Sequence, residues 1–305
     1  MKQPLVWYGK TLVGAWRARR AYARARCRGL PKNDFYRLGR FLGWKLLSAR
    51  RAIARQLLWS PVSITRYFEF DFAWRALTQD GFVPSSCLDV SSPFLFSIQV
   101  AHCWPEARVK MLNPDARDLQ RTRQIRDLLH WDGIELVEAG SDFLDGESAG
   151  AYDAAWSISV VEHIAGEQGD DRDAVRRMWN VVRPGGRLIV TVPTDRQAWD
   201  EYRETDVYGL QPKSGANASY FFQRFYDEAA IHGRLIQTIG QKPARMEWFG
   251  EKMPGHFHAY IARWRREGAP ATLNDPLDIA MNYQLYPSFS DMPGAGVCGL
   301  SFIKQ

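Results

Sequence analysis

The sequence predicts an α/β protein in which a parallel sheet is preceded by a basic helical segment. Residues 152–194 have the pattern strand, helix, strand, which is typical of a parallel βαβ unit. Residues 1–56 contain 15 Lys and Arg but a single acid, Asp34, so their formal charge is +14, whereas the remaining residues carry −8. We therefore expect a basic, amphipathic helical extension over residues 1–60 and an α/β domain over residues 61–305.

The strand–helix–strand unit is defined by its hydrophobic pattern and by the signals that end each element. Tyr152–Val160 is short, apolar and β-rich, as expected for a strand buried on both faces. Asp170 and Asp171 are suitable N-caps for a helix whose apolar residues follow helical spacing. Arg183–Gly186 ends this helix, because proline cannot continue it and glycine accepts a left-handed turn. The second strand is Arg187–Val192.

The same unit carries a set of motifs in a characteristic order. Tyr152-Asp153 opens the first strand, Val161-Glu162-His163-Ile164 follows it, Arg183–Gly186 ends the helix and Val192-Pro193 ends the second strand. In this order the motifs resemble the fourth and fifth strands of class I S-adenosylmethionine-dependent methyltransferases. The resemblance covers about residues 85–193. It implies a seven-stranded, mostly parallel, Rossmann-like sheet that binds S-adenosylmethionine.

The turn after the first expected strand, Ser86–Val90, departs from the pattern of this superfamily. An acid-x-Gly-x-Gly turn is usual there, because glycine lets the backbone approach the ligand closely. Here Asp89 is followed by Ser91, Ser92 and Pro93, so serine and proline stand at the two glycine positions. The resemblance implies cofactor contacts by Asp89, Ser91 and Ser92. The turn also resembles those of methyltransferase-like proteins of surface polysaccharide synthesis.

Residues at the ends of the next strands complete the implied cofactor site. Asn113 matches the acid that accepts hydrogen bonds from the ribose hydroxyls, although Asn113-Pro114 also fits a plain turn. Asp142 and Phe143 match the acid that bonds the adenine amino group and the residue that packs on the ring. A turn acid and a core phenylalanine are the alternatives for these two. Ser159 follows the fourth strand at the carboxyl edge, where open parallel sheets bind ligands.

The loop after the fourth strand also supplies the candidate catalytic groups. His163 fits a general base and Glu162 fits an acid that faces the cleft, and both also fit packing or hydrogen-bonding roles. Residues 194–295 are the approximate place where the superfamily inserts its acceptor site. The candidate substrate-binding residues there are Tyr202, Tyr208, Tyr220, Arg224, Trp248 and His256. Several of these rings instead fit the packing of a helix that begins at Asp227.

Neither a metal site nor a membrane span is indicated. His256 and His258 are close in sequence but lack a third ligand, so we expect no metal. The four cysteines also lack ligand spacing, which favours reduced, buried thiols in a cytoplasmic protein. No apolar run reaches the ~20 residues that a membrane span needs.

The basic N-terminal segment leaves three interpretations open. Phe35–Leu58 has the periodicity of one amphipathic helix that carries both leucines and basic residues. Such a helix fits a solvated face packed on the body, an anionic membrane surface, or nucleic acid. No nucleic-acid-binding motif supports the third interpretation. The second implies a protein that is peripheral to the inner face of the membrane.

Together these features predict methyl transfer from S-adenosylmethionine to a polar acceptor. We expect O-methylation of a sugar or another polar, small or lipid-linked acceptor, and a hydroxyl acceptor needs a base such as His163 or Glu162. The lost glycines and Asn113 favour an alternative, a non-catalytic binding or scaffold protein of this fold. The basic segment leaves a second alternative, an RNA methyltransferase. No oligomeric state is predicted.

Overall fold

The computed structural model describes residues 5–31, 34–49, 53–165, 169–207, 209, 213–214 and 219–305. The chain divides into two compact units. Unit 1 comprises Met1–Asp71, Phe249–Tyr286 and Ser290–Gly296, and unit 2 comprises Phe72–Trp248, Pro287–Phe289 and Val297–Gln305. Each unit is therefore assembled from separate segments of the chain.

The described residues include eleven α-helical segments. Their bounds are Leu5–Arg26 (α1), Asp34–Ser48 (α2), Ala54–Trp59 (α3), Arg66–Thr78 (α4), Leu95–Cys103 (α5), Ala116–Leu129 (α6), Asp171–Val181 (α7), Glu228–Ala230 (α8), Gln237–Ile239 (α9), His256–Glu267 (α10) and Asp275–Asn282 (α11). The π-helical segment Ile231–Ile236 joins α8 to α9, and the side chain of Asp227 caps α8. The helix expected to begin at Asp227 is thus confirmed.

The strands of the described residues form two sheets. Their bounds are Ser86–Val90 (β1), Arg108–Leu112 (β2), Ile134–Val137 (β3), Tyr152–Ile158 (β4), Val182–Thr194 (β5), Trp199–Arg203 (β6), Lys213–Ser214 (β7), Ser219–Phe225 (β8), Arg245–Glu251 (β9), Tyr283–Tyr286 (β10) and Gly296–Ile303 (β11). The larger sheet has the order β10-β9-β11-β5-β4-β1-β2-β3 and the smaller one β6-β8-β7. The larger sheet therefore has eight strands, not the expected seven, because β10 adds an edge strand.

Strands β1 to β5 form the parallel centre of the larger sheet. β1 pairs with β2 and β4, β2 pairs with β3, and β4 pairs with β5, all in parallel. The chain runs outward from β1 to β3 and then returns to β4 beside β1, so the strand order reverses between β1 and β4. Open α/β sheets bind ligands at such a switch point, outside the carboxyl ends of the strands. The expected mostly parallel, Rossmann-like sheet is confirmed.

The predicted strand–helix–strand unit is also confirmed, with one difference at its turn. Asp170 and Asp173 form a capping box that starts α7. α7 passes directly into β5, so Arg183–Gly186 bulges within the strand rather than preceding it. Glycine is required in this bulge, since a Cβ on Gly186 would lie 2.7 Å from the carbonyl oxygen of Asp153.

The basic N-terminal segment forms three helices in unit 1, so the expectation of one helix over Phe35–Leu58 is wrong. α2 and α3 are separate and pack against each other, with their leucines buried. Gly43 permits this close packing, because a Cβ there would lie 2.9 Å from Cγ of Leu58. Two short helices folded together bury apolar surface that a single extended helix would leave in water.

Helix α1 packs on unit 1 through small residues. Gly14, Ala15 and Ala18 are buried on one face of the helix, and the ring of Trp59 lies against Gly14. The indole N–H of Trp59 also donates a hydrogen bond of 3.0 Å to the carbonyl oxygen of Thr11. The absence of large side chains on this face therefore allows α1 to approach α3 closely.

The cysteines are not all buried. Cys87 and Cys298 are buried as predicted, whereas Cys27 and Cys103 are exposed, which corrects the expectation for these two. Both of these cysteines lie at helix ends rather than within the core, since Cys27 follows the last residue of α1 and Cys103 is the last residue of α5. Throughout the ranges that the structure describes, none of the helices combines the length and the apolar character needed to cross a bilayer.

Two glycines of α1 provide a matched test of the packing against Trp59. A Cβ on Gly14 would lie 2.3 Å from the Trp59 ring, whereas nothing lies within 4 Å of a Cβ on Gly9. Gly14→Ala should lower the free energy of unfolding by about 1–3 kcal/mol through overpacking. Gly9→Ala should raise it by about 0.5–1 kcal/mol because alanine favours the helix. Urea denaturation followed by circular dichroism measures both changes, and a stabilised Gly14→Ala protein would contradict this packing.

Candidate functional site

The carboxyl end of β1 turns into α5 around a buried acid. The carboxylate of Asp89 accepts a hydrogen bond of 2.8 Å from the backbone N–H of Ser92 and another from the hydroxyl of Ser97. Burial raises the pKa of Asp89 to about 6, although these hydrogen bonds oppose the rise. Asp89 is fully buried, so its role at this edge is to hold the shape of the turn.

Two serines tie β1 to β4 at the switch point. The hydroxyl of Ser92 accepts a hydrogen bond of 3.0 Å from the backbone N–H of Ile158. The hydroxyl of Ser157 donates to the carbonyl oxygen of Val90 at 3.2 Å. Both serines are buried, and their hydroxyls form these hydrogen bonds between the two strands. The structure therefore gives Ser92, one of the expected cofactor residues, a structural role in positioning the edge.

Two further serines at this edge have a left-handed backbone. Ser91 follows β1 with φ +57° and Ser159 follows β4 with φ +46°. Glycine is usual at such φ values because a side chain is strained there. Ser91 thus takes, at one of the usual glycine positions, a conformation typical of glycine. Its hydroxyl donates a hydrogen bond of 3.0 Å to the carbonyl oxygen of Leu112, which also joins β1 to β2.

Asn113, after β2, is bonded to the start of the following helix. Its side-chain amide donates to Asp118 Oδ2 at 3.0 Å, and its Oδ1 accepts from the backbone N–H of Asp115 at 2.9 Å. Asp115 caps α6, as its sequence position suggests. A side-chain amide has two N–H groups and two carbonyl lone pairs. Asn113 is therefore a turn residue that keeps the capacity to bond one more partner through each atom.

Asp142 and Phe143 lie in the 3₁₀ turn Ser141–Gly146, after β3. Asp142 is half-buried, whereas the Phe143 side chain is 39% exposed. Nζ of Lys110 lies 5.5 Å from the centroid of the Phe143 ring, within cation–π range. Phe143 is thus not a core residue, which removes that alternative, and its ring is accessible for stacking.

His163 is oriented by the smaller sheet. Its Nδ1 lies 2.6 Å from the carbonyl oxygen of Phe222 in β8. A carbonyl oxygen only accepts, so Nδ1 carries the proton and Nε2 is the basic nitrogen of the neutral ring. Nε2 lies 3.8 Å from Oε1 of the buried Glu162, and the His163 side chain is 19% exposed. This arrangement suits a proton acceptor that a substrate can reach.

A buried carboxylate holds the smaller sheet against α7. Asp171 accepts hydrogen bonds from Tyr226 at 2.6 Å, from Arg224 at 2.8 Å and from Arg234 at 2.8 Å. Arg224 also bonds Asp200 at 3.0 Å, so its guanidinium is shared between two acids. Burial and the adjacent Asp171 charge raise the pKa of the Tyr226 hydroxyl well above its ordinary value. Arg224, an expected substrate residue, therefore anchors β8.

The tyrosine candidates lie on the smaller sheet. Tyr202 on β6 is 49% exposed and meets Phe221 edge-on at 5.9 Å between ring centroids. Tyr220 is half-buried on β8. Tyr208 lies outside the described residues. Of Tyr202 and Tyr220, Tyr202 therefore has the ring that is more open to an acceptor.

The two remaining acceptor candidates belong to different units. Trp248 is 4% exposed and packs on Phe289 within unit 2, so it is a core residue there. His256, in unit 1, lies 3.2 Å from Asp278 Oδ2 through its Nε2. Within the described part of the chain, no three His, Cys, Asp or Glu side chains are grouped so as to hold a metal ion.

Sequence reasoning missed Thr194 and Phe222. Thr194 is the last residue of β5 and is fully buried, and its Oγ1 has no hydrogen-bond partner among the described residues. An unbonded buried hydroxyl costs about 1–3 kcal/mol, so Thr194 is an energetically unfavourable position at the end of β5. The position of Thr194 at the end of an expected strand was the sequence feature that could have indicated it. Phe222 acts through its backbone, and no sequence signal marks such a role.

Comparison with known proteins shows the fold. No family profile and no curated protein matches the sequence. A putative sarcosine dimethylglycine methyltransferase from Galdieria sulphuraria is similar in structure, with a TM-score of 0.50 and 12% identity, over 79% of this chain and 86% of that chain. The chain therefore has the Rossmann-like fold of class I methyltransferases.

Two further solved structures have slightly lower scores. A geranyl diphosphate C-methyltransferase from Streptomyces coelicolor A3(2), crystallised with S-adenosyl-L-homocysteine, has a TM-score of 0.49 and 11% identity over 79% of each chain. The cyclase SpnF has a TM-score of 0.47 and 13% identity over 80% of this chain and 83% of its own. At such identities the similarity concerns the fold and assigns no substrate.

The buried acid of the β1 turn predicts a pH-dependent difference in stability. The pKa of Asp89 is raised from 3.8 to about 6, so the folded protein binds more protons than the unfolded chain between these values. Its stabilising contribution is complete below the unfolded pKa and is lost as pH rises through the folded one. The stability of the wild type relative to Asp89→Asn should therefore fall by roughly 2–3 kcal/mol between about pH 4 and pH 7. Urea denaturation at several pH values measures this difference, which would stay constant if Asp89 were not desolvated.

Proposed function

We propose that this chain is an S-adenosylmethionine-dependent methyltransferase that methylates a hydroxyl group of a polar acceptor, a sugar being the acceptor class that fits best. The observation that carries the proposal is the fixed tautomer of His163 at the carboxyl edge of a methyltransferase fold. The Phe222 carbonyl oxygen, 2.6 Å from Nδ1, leaves Nε2 as the basic nitrogen. A hydroxyl acceptor needs such a base, whereas a carboxylate does not.

The residues at the edge of the sheet fit the cofactor. Asp142 is half-buried and would accept a hydrogen bond from the adenine amino group, with the accessible ring of Phe143 beside it. Asn113 would bond a ribose hydroxyl with its remaining capacity. The left-handed Ser91 maintains the turn that precedes the helix N-terminus.

The proposed chemistry requires alignment and one proton transfer. Bound S-adenosylmethionine supplies a methyl group that its sulfonium already activates, so the protein mainly orients the acceptor for attack. Nε2 of His163 would take the acceptor proton. The positive ring that results is stabilised by the Phe222 carbonyl oxygen at Nδ1 and by the Glu162 carboxylate, 3.8 Å from Nε2.

The acceptor class is inferred from the smaller sheet. The half-exposed ring of Tyr202 offers an aromatic face near a polar, ion-paired strand surface. Aromatic rings beside hydrogen-bonding groups suit the apolar faces and the hydroxyls of a sugar. The resemblance of the β1 turn to proteins of surface polysaccharide synthesis supports the same class, whether the sugar is free or lipid-linked.

A non-catalytic binding protein is the second candidate, and Asn113 favours it. Both of its side-chain functional groups are used within the protein, where the superfamily has an acid for the ribose. Such a protein would bind S-adenosylhomocysteine or an acceptor without catalysing methyl transfer.

Calorimetric titration with S-adenosylhomocysteine tests the cofactor site. Asp142→Ala should weaken binding by about 1–3 kcal/mol, because a buried donor of the ligand loses its partner. Asp145→Ala is the matched control, since Asp145 lies in the same turn but is 62% exposed and pairs with Arg177. Equal affinities for wild type and Asp142→Ala would remove Asp142 from the site. A wild-type protein that binds neither S-adenosylmethionine nor its product would overturn the proposed function.

Turnover with a panel of sugar acceptors tests the base. His163→Asn keeps an amide N–H at the position of Nδ1, where it can bond the Phe222 carbonyl oxygen, but has no basic nitrogen. Its affinity for S-adenosylhomocysteine should match the wild type, while kcat should fall by about 10²–10⁴-fold. Wild-type turnover in this variant would show that His163 is not the base. Cofactor binding without turnover on any acceptor, in the wild type, would favour the non-catalytic protein.

A further inference from the structure

We propose that the outward faces of α1 and α2 form a docking surface for an anionic lipid membrane. The surface, called here the basic aromatic surface, is defined by exposed residues on two helices of unit 1. They are Val6, Leu12, Val13, Trp16, Arg17, Arg20 and Arg24 on α1, and Arg37, Phe41, Trp44 and Lys45 on α2. The inference is independent of the proposed reaction and of any cofactor.

Helix α1 exposes large apolar side chains, although small residues make its contact with α3. Gly14, Ala15 and Ala18 are buried, while Val13 is 59% exposed and Trp16 is 57% exposed. Arg20 lies on the same outward face, because positions four and seven residues apart share one side of a helix. A helix that served only to pack on its own unit would bury the large side chains. The outward face of α1 is therefore suited to contact with an apolar environment outside the protein.

Helix α2 has a similar outward face. Phe41 is 45% exposed and Trp44 is 46% exposed, although Leu38, Leu42 and Leu46 of the same helix are buried. Arg37 and Lys45 stand one turn from Phe41 on either side and are also exposed. Both helices thus combine a buried face that anchors them with an outward face of aromatic and basic residues.

The cations of the surface lie over its aromatic rings. The guanidinium carbon of Arg20 is 4.6 Å from the Trp16 ring centroid, and Nζ of Lys45 is 5.5 Å from the Phe41 centroid. Amphipathic rings prefer the headgroup level of a bilayer, where adjacent cations meet lipid phosphates. With the formal charge of +14 over residues 1–56, the surface is complementary to an anionic membrane.

The aliphatic residues of the surface favour a membrane over nucleic acid. Val6 is 66% exposed and Leu12 is 46% exposed, beside Val13 on α1. Bases stack on aromatic rings and phosphates pair with cations, but neither removes aliphatic side chains from water. The boundary between headgroups and acyl chains buries all three kinds of residue. The helices would lie in the plane of the interface.

Co-sedimentation with vesicles tests the surface on the full chain. The vesicles are pure phosphatidylcholine, or phosphatidylcholine with about one third phosphatidylglycerol, at physiological salt. The wild type should bind the anionic vesicles and not the neutral ones. Changing Arg17, Arg20 and Arg24 together to Gln should weaken the partitioning by about 100-fold, since each basic residue near an anionic surface is worth ~1 kcal/mol. Added salt should produce a similar loss by screening.

The aromatic contribution is tested by changing Trp16, Phe41 and Trp44 together to Ala. This protein should lose vesicle binding while its melting temperature stays within a few degrees of the wild type, because all three side chains are exposed. Tyr202→Ala, which removes a ring 49% exposed in unit 2, is the matched control and should bind as the wild type does.

Three results would overturn the proposal. The first is a wild type that binds neither kind of vesicle, and the second is equal binding by the wild type and the triple aromatic variant. The third is tight binding of a single-stranded RNA oligonucleotide without vesicle binding, which would assign the surface to nucleic acid. Methyl transfer is expected to persist in solution in the arginine and aromatic variants of α1 and α2, so failure here is distinct from failure of the proposed function.

Discussion

The carboxyl edge of the sheet depends on one desolvated carboxylate. Asp89 is withdrawn from water at the point where the strand order reverses, and hydrogen bonds from Ser92 and Ser97 compensate its charge. Ser92 then uses its own hydroxyl to bond Ile158 on β4. The relative position of β1 and β4 therefore follows from a chain of bonds that starts at one acid. Asp89 therefore also determines the shape of the surface that a ligand at this edge would contact.

The smaller sheet has a comparable role for the candidate base. Arg224 anchors β8 to the buried Asp171, and Phe222 on the same strand orients His163. The ion-paired anchor and the proton acceptor are thus linked through a single strand. Arg234, which also bonds Asp171, therefore contributes to the position of this strand.

Local signals made the central unit predictable from the sequence. The apolar run of β4, the Asp170 cap and the Arg183–Gly186 turn are each encoded within a few residues. The Phe222 carbonyl that orients His163 is not encoded in this way, because its partner is 59 positions away in the chain. The buried face of α1 could not be predicted for another reason, because glycine and alanine contribute little to a hydrophobic pattern. Hydrophobic periodicity in the sequence does not indicate the break between α2 and α3, because that break depends on tertiary packing.

The left-handed serines have a consequence for how this turn evolves. A non-glycine residue in that conformation costs about 1–2 kcal/mol. The hydrogen bond from the Ser91 hydroxyl to the carbonyl oxygen of Leu112 offsets part of this cost. Glycine avoids the strain but loses more chain entropy on folding. The two residues are therefore nearly equivalent in free energy here, and a lineage can exchange them without refolding the turn. The dihedral angles of this turn, rather than its number of glycines, therefore determine the path of the backbone at this edge.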